Sequence, residues 1–138
     1  METKIFIEWS EDLSMNLKEI DNQHKKLVDI INELYSTFFQ GLAREKITET
    51  LNALTKYTEY HFNTEENYFE MFNYKFTDDH VVEHTFFIEK LRDFNKQLQV
   101  GSNTLPYEVL NFLRDWITNH IKRTDRKYMR IFSENGVK

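Results

Sequence analysis

The sequence predicts an all-α protein, an antiparallel up-down-up-down four-helix bundle with an N-terminal arm. Three observations carry this. Three glycines and one proline in 138 residues leave few helix breakers. Apolar residues recur at alternating spacings of three and four along four long stretches. The connections between those stretches are short, which sets neighbouring helices antiparallel. The length and the 40% hydrophobic content predict one globular domain over 1–138.

The arm covers residues 1 to about 13. Ile5, Phe6, Ile7 and Trp9 make it apolar enough to lie on the body. The first helix runs from about Leu17 to Phe39 on the stripe Leu17, Ile20, His24, Leu27, Ile31, Leu34 and Phe38, and Gln40-Gly41 stops it. The second spans about Arg44 to Phe72, with Ile47, Leu51, Leu54, Thr58, His61, Glu65, Tyr68 and Phe72 on its stripe. Asn73 to Phe76 form a turn, and Thr77 is the expected N-cap of the third helix. That helix carries His80, His84, Phe87, Leu91, Phe94 and Leu98, and Gly101-Ser102-Asn103 breaks it. Pro106 suits the first turn of the fourth helix. Its stripe is Leu110, Leu113, Ile117, His120, Thr124 and Tyr128, with fraying expected near Asn135-Gly136.

Polar residues interrupt all four stripes, and spacing alone sets them at one height. His24 lies 17 residues before Gly41, and His61 lies 20 after it. Glu65 is 10 before Lys75, and His84 is 9 after it. His84 is 18 before Ser102, and His120 is 18 after it. At a common rise per residue, these groups form one layer across the bundle.

All five histidines of the chain belong to this set, with Glu65 and Asp125 beside them. A lone histidine on an apolar stripe is usually a hydrogen-bonded core residue. Seven titratable groups in one dry layer are costly unless a cation holds them. A single structural zinc takes four ligands, too few for this set, whereas two six-coordinate ions fit it. No glutamate stands three residues before any histidine, so the Glu-x-x-His pairs of ferritin-like di-iron bundles are missing. His120 and Asp125 are five residues apart, about 140° around an ideal helix. Reaching one centre therefore requires a π-type widening or a long sideways reach by Asp125.

Composition removes several function classes. A net charge of −5 argues against nucleic acid as the main partner. The basic run Lys122, Arg123, Arg126, Lys127 and Arg130 is expected to face solvent and to complement the helix C-terminus. With no cysteine, disulfides, thiolate zinc sites, iron–sulfur clusters and cysteine nucleophiles are all excluded. That usage is compatible with a reducing cytoplasm, where the protein is expected. Met1 to Ser10 contain no apolar signal segment, and no run is long enough for a membrane span.

Four motifs together resemble the hemerythrin family, its single-domain bacterial members in particular. They are Asp21-Asn22-Gln23-His24-Lys25-Lys26-Leu27, His61-Phe62-x-x-Glu65-Glu66, His80-x-x-x-His84-x-x-Phe87 and Trp116-x-x-x-His120-Ile121-x-x-x-Asp125. The resemblance runs from Trp9 to about Tyr128, and every family ligand position is filled. It implies a non-haem di-iron centre that binds O2 reversibly, for carriage, storage or delivery. One iron would take His80, His84 and His120, and the other His24 and His61. Glu65 and Asp125 would each bridge both, beside an oxo or hydroxo bridge. Eleven of about twelve positions are then filled, and dioxygen takes the vacancy on the His24/His61 iron. Leu27, Phe62, Trp116, Ile117 and Ile121 would line the O2 pocket. Two other functions fit the same centre. One is an O2 or redox sensor acting with a protein partner. The other is a di-iron enzyme: a peroxidase, an oxidase or a nitric-oxide-handling protein. Oligomeric state and any protein recipient of the oxygen are not legible in the sequence.

Overall fold

A computed structural model describes residues 6–41, 44–101 and 105–138, without the side chains of 105 and 106. The described chain is helical and matches the expected bundle. Helix α1 is Lys18–Phe39, α2 is Arg44–Phe72, α3 is Thr77–Gln99 and α4 is Leu105–Asn119. The fourth rod continues through a π-helical segment, His120–Thr124, and a 3-10 segment, Asp125–Tyr128, into the short helix α5, Met129–Glu134. Helix α1 packs on α2 and α4, and α3 packs on α2 and α4, so the four rods enclose one core. No described helix is long and apolar enough to cross a membrane.

The periodic stripes supply that core. Ile20, Leu27, Ile31 and Leu34 from α1 are buried with Leu51 and Leu54 from α2. Phe87, Leu91 and Phe94 from α3 face Leu113, Ile117 and Ile121 from the fourth rod. At the end of α2 the structure differs from the stripe. Phe69 is fully buried, while Tyr68 and Phe72 are only partly so. Phe69 stands 18 residues after Leu51, a whole number of helical turns, so the ordinary period puts it on the buried face and the stripe's choice of Tyr68 is one position off.

Two helix boundaries depend on local chemistry. Gly41, at φ +66°, stops α1 in the left-handed conformation open to glycine. Thr77 is not the N-cap of α3 but its first helical residue; Phe76 occupies the cap position without a side-chain bond. The Thr77 hydroxyl turns back to donate to the Tyr74 carbonyl at 2.6 Å and closes the α2–α3 turn instead. Of the expected break Gly101-Ser102-Asn103, only Gly101 is among the described residues.

The arm lies on the body where it is described; Met1 to Ile5 fall outside the described residues. Asn32 on α1 holds it. Its Oδ1 accepts from the Phe6 and Ile7 amides at 3.0 and 2.8 Å, and its Nδ2 donates to the Ile7 carbonyl at 2.9 Å. Ile7 and Leu13 are buried beneath the strap. The basic run is exposed, as expected, and one of its members has a structural task. The Arg126 guanidinium donates to the Asp12 carbonyl at 2.5 Å and ties the arm to the fourth rod.

Candidate metal centre

The fourth rod shows why the layer closes. The Asp125 amide donates to the His120 carbonyl five residues back, a π-type bond. The added residue per turn swings Asp125 round to the side of His120. The rod then tightens, because the Met129 amide bonds to Arg126 only three residues back. Of the two routes open to Asp125, the chain takes the π-type widening.

The layer height deduced from spacing is observed. His24, His61, Glu65, His80, His84, His120 and Asp125 are each no more than 3% exposed. Their donor atoms fall into two sets. One atom each of Glu65, His80, His84, His120 and Asp125 lie within 4.8 Å of one another, and so do those of His24, His61, Glu65 and Asp125. The two carboxylates belong to both sets.

The carboxylates share themselves differently. Asp125 Oδ1 faces His80 Nε2 at 2.8 Å and His120 Nε2 at 3.0 Å, while Oδ2 faces His24 Nε2 at 3.1 Å. Each Asp125 oxygen therefore looks at one set. Glu65 reaches both sets with one oxygen: Oε1 lies 3.4 Å from His61 Nε2 and 3.2 Å from His84 Nε2. Its other oxygen, Oε2, accepts the hydroxyl of the fully buried Tyr128.

These contacts bring basic imidazoles and carboxylates together without well-formed hydrogen-bond geometry. Nε2 of His24, His80, His84 and His120, Glu65 Oε1 and both Asp125 oxygens are buried without a hydrogen-bond partner. Polar atoms sealed from water normally find partners. Seven such atoms converging in one place are the arrangement that a bound cation would satisfy. Neutral imidazoles and two carboxylates suit iron in its biological oxidation states. The residues present therefore fit a two-metal centre.

The outer nitrogens are tethered from the bundle's flanks. Gln23 Oε1 lies 2.6 Å from His61 Nδ1, Glu66 Oε2 lies 2.8 Å from His84 Nδ1 and Glu83 Oε1 lies 3.0 Å from His120 Nδ1. Thr124, inside the π segment, donates its hydroxyl to both Glu83 oxygens. An acceptor at Nδ1 holds the proton there and turns the Nε2 lone pair inward. Sequence reasoning assigned these flanking residues no role. The available signal was adjacency: Gln23, Glu66 and Glu83 each sit one residue from a member of the layer.

In the metal-free layer, burial competes with neighbouring charges, and at His61 burial wins. It lowers His61 to about 4, against the pull of Glu65, so this imidazole is neutral. At His120, burial also disfavours the charge, but Asp125 and Glu83 outweigh it and raise the group to about 10. Asp125 is held well below the carboxylate range; burial opposes this, and the surrounding imidazoles, His120 foremost, prevail.

The residues expected to line the O2 pocket lie in the bundle core or at its edge. Leu27, Phe62, Ile117 and Ile121 are buried in the common core, and Trp116 is half-buried. The Phe62 ring stacks on His84 with centroids 3.7 Å apart, and Trp116 stacks on His120 at 4.2 Å.

Comparison with known proteins agrees with the site. Residues 15–132 match the family profile described as Hemerythrin HHE cation binding domain. The chain is 34% identical over 125 residues to a bacteriohemerythrin of Clostridium acetobutylicum, covering 88% of this chain and 97% of that one. It is likewise 34% identical over 121 residues to a bacteriohemerythrin of Pseudomonas aeruginosa, covering 88% of this chain and 78% of the relative. Its fold superposes on a crystal structure of wild-type hemerythrin with a TM-score of 0.82 at 30% identity, over 90% of this chain and 95% of that one. The chain belongs to the hemerythrin family.

Proposed function

We propose that the protein binds dioxygen reversibly at a di-iron centre and serves in oxygen carriage, storage or delivery. One observation carries the reading: two buried donor sets share the carboxylates of Glu65 and Asp125. His80, His84 and His120 would hold one iron, and His24 and His61 the other. Three imidazoles against two leave the second iron one protein donor short, which is where a small ligand fits. When bound, the iron pair supplies one electron from each ion to dioxygen, so neither ion passes beyond ferric.

The chain's own residues make binding reversible. Gln23, Glu66 and Glu83 hold the Nδ1 protons of three donor histidines, so Nε2 is free to ligate. Tyr128 donates to Glu65 and fixes the orientation of that carboxylate. Leu27, Phe62, Ile117 and Ile121 exclude water, which limits loss of reduced oxygen species through protonation.

Metal analysis with an absorption spectrum in air tests this. The expected result is two irons per chain, a visible charge-transfer band in air, and repeated recovery of the ferrous spectrum when oxygen is removed. A stable single-zinc protein that takes up no iron under reducing conditions refutes the di-iron reading. Consumption of reductant on every oxygen cycle would reassign the protein as an enzyme.

A further inference from the structure

Trp116 does more than an apolar lining requires. Its indole lies nearly parallel to the His120 imidazole, with centroids 4.2 Å apart and 12° between the planes. It also lines an open groove of about 580 Å³ between α3 and the fourth rod. The other rings in contact with donor histidines, Phe62, Phe69, Tyr74 and Tyr128, are all buried. Phe62 and Tyr74 also line surface grooves and touch donor imidazoles, but both are buried; among the described residues, Trp116 is the partly exposed ring in such a position.

The groove has the chemistry of a slot for a flat ring. Phe86, 48% exposed, and Phe112 stand beside Trp116 as apolar walls. Its volume is that of a small-molecule site. With His120 neutral as a metal donor, Glu83 and Asp115 outnumber Arg123 among the groove's charged groups, which disfavours an anionic occupant. At its inner end, Glu83 holds His120 through Nδ1 and is itself held by Thr124, so the imidazole under the indole is fixed in place.

We propose that this groove seats a planar, neutral or cationic one-electron carrier, and that Trp116 conducts electrons from it to the centre when oxidised protein is returned to the reduced state. The proposal rests on the di-iron reading. Each reduced carrier loses one electron and leaves oxidised, and one ferric ion becomes ferrous. Two carriers restore the pair, and no bond is made or broken at the indole. Overlap of the two stacked rings joins the carrier to the ligand shell without an intervening solvent gap.

Reduced methyl viologen, a planar cationic one-electron donor, is the probe. Iron content of the parent is measured first, and its absence would count against the di-iron reading rather than against the groove. Anaerobic stopped-flow reduction of the oxidised, iron-loaded protein should slow about tenfold or more in Trp116→Leu. Phe86→Lys, at an exposed wall, should slow it by blocking the slot and repelling the cation. A second readout needs no iron. Trp9 and Trp116 are the two tryptophans, so metal-free Trp9→Phe protein reports Trp116 alone. Oxidised methyl viologen should quench its emission saturably, and Phe86→Lys should weaken that quenching. If Trp116→Leu loses iron, the Phe86→Lys kinetics and the quenching decide. Unchanged reduction rates in the variants, or quenching that never saturates and ignores Phe86→Lys, overturn the proposal.

Discussion

Tyr128→Phe deletes one oxygen atom from the middle of the bundle. The ring should stay where it is, because it stacks on Phe132 with centroids 4.1 Å apart and packs against Phe69 at 5.5 Å. What disappears is the donor to Glu65 Oε2. Glu65 is fully buried, and its other oxygen already lacks a hydrogen-bond partner. In metal-free protein the carboxylate would then keep both oxygens without a donor. A hydrogen bond to a charged group contributes about 1.5–3 kcal/mol, and removing it leaves the desolvation cost behind. For a domain of this size that is a fall in Tm of roughly 5–15 °C. Bound metal neutralises the same carboxylate, so the loss should be smaller in the loaded protein. Thermal unfolding by circular dichroism, with and without metal at one pH, measures both shifts. An unchanged metal-free Tm, or equal shifts in the two states, would show that the Tyr128 hydroxyl does not support the Glu65 charge.

Three further outcomes are expected. Glu65→Ala removes a charge and a group shared by both donor sets, whereas His24→Ala removes one neutral donor. Glu65→Ala should therefore lose more iron and more thermal stability, read side by side by metal analysis and Tm, while His24→Ala keeps some iron but fails to cycle oxygen. The pH dependence of the metal-free protein follows from two histidines. His120 is raised from an ordinary 6.5 to about 10, so its contribution is full below 6.5 and fades as pH rises through 10. His61 is lowered to about 4, so its contribution is present above 6.5 and fades as pH falls through 4. Metal-free stability should peak near the ordinary histidine value, and metal uptake at neutral pH should release the His120 proton into a weakly buffered indicator solution; uptake without proton release would contradict the charge state. Asn32→Ala should loosen the arm at a cost of about 1–2 kcal/mol in denaturant unfolding, with faster amide exchange at Phe6 and Ile7 and unchanged iron content.

The sequence by itself determined the four rods and the height at which their polar residues meet. Both rest on local quantities: the 3.6-residue period sets which way a side chain points, and the rise per residue sets how far along the rod it lies. That was enough to bring His24, His61, Glu65, His80, His84, His120 and Asp125 into one layer, and to show that His120 and Asp125 could not both point inward from a regular helix. Which remedy the chain takes was decided by tertiary structure. The π segment trades regular backbone bonds for the placement of Asp125 between the donor sets, a balance that depends on three other helices. The bonds from Gln23, Glu66, Glu83 and Tyr128 belong to the same level. Each reaches across from one rod to another, and such contacts depend on interaxial rotation and distance, which the periodicity of any one helix leaves undetermined.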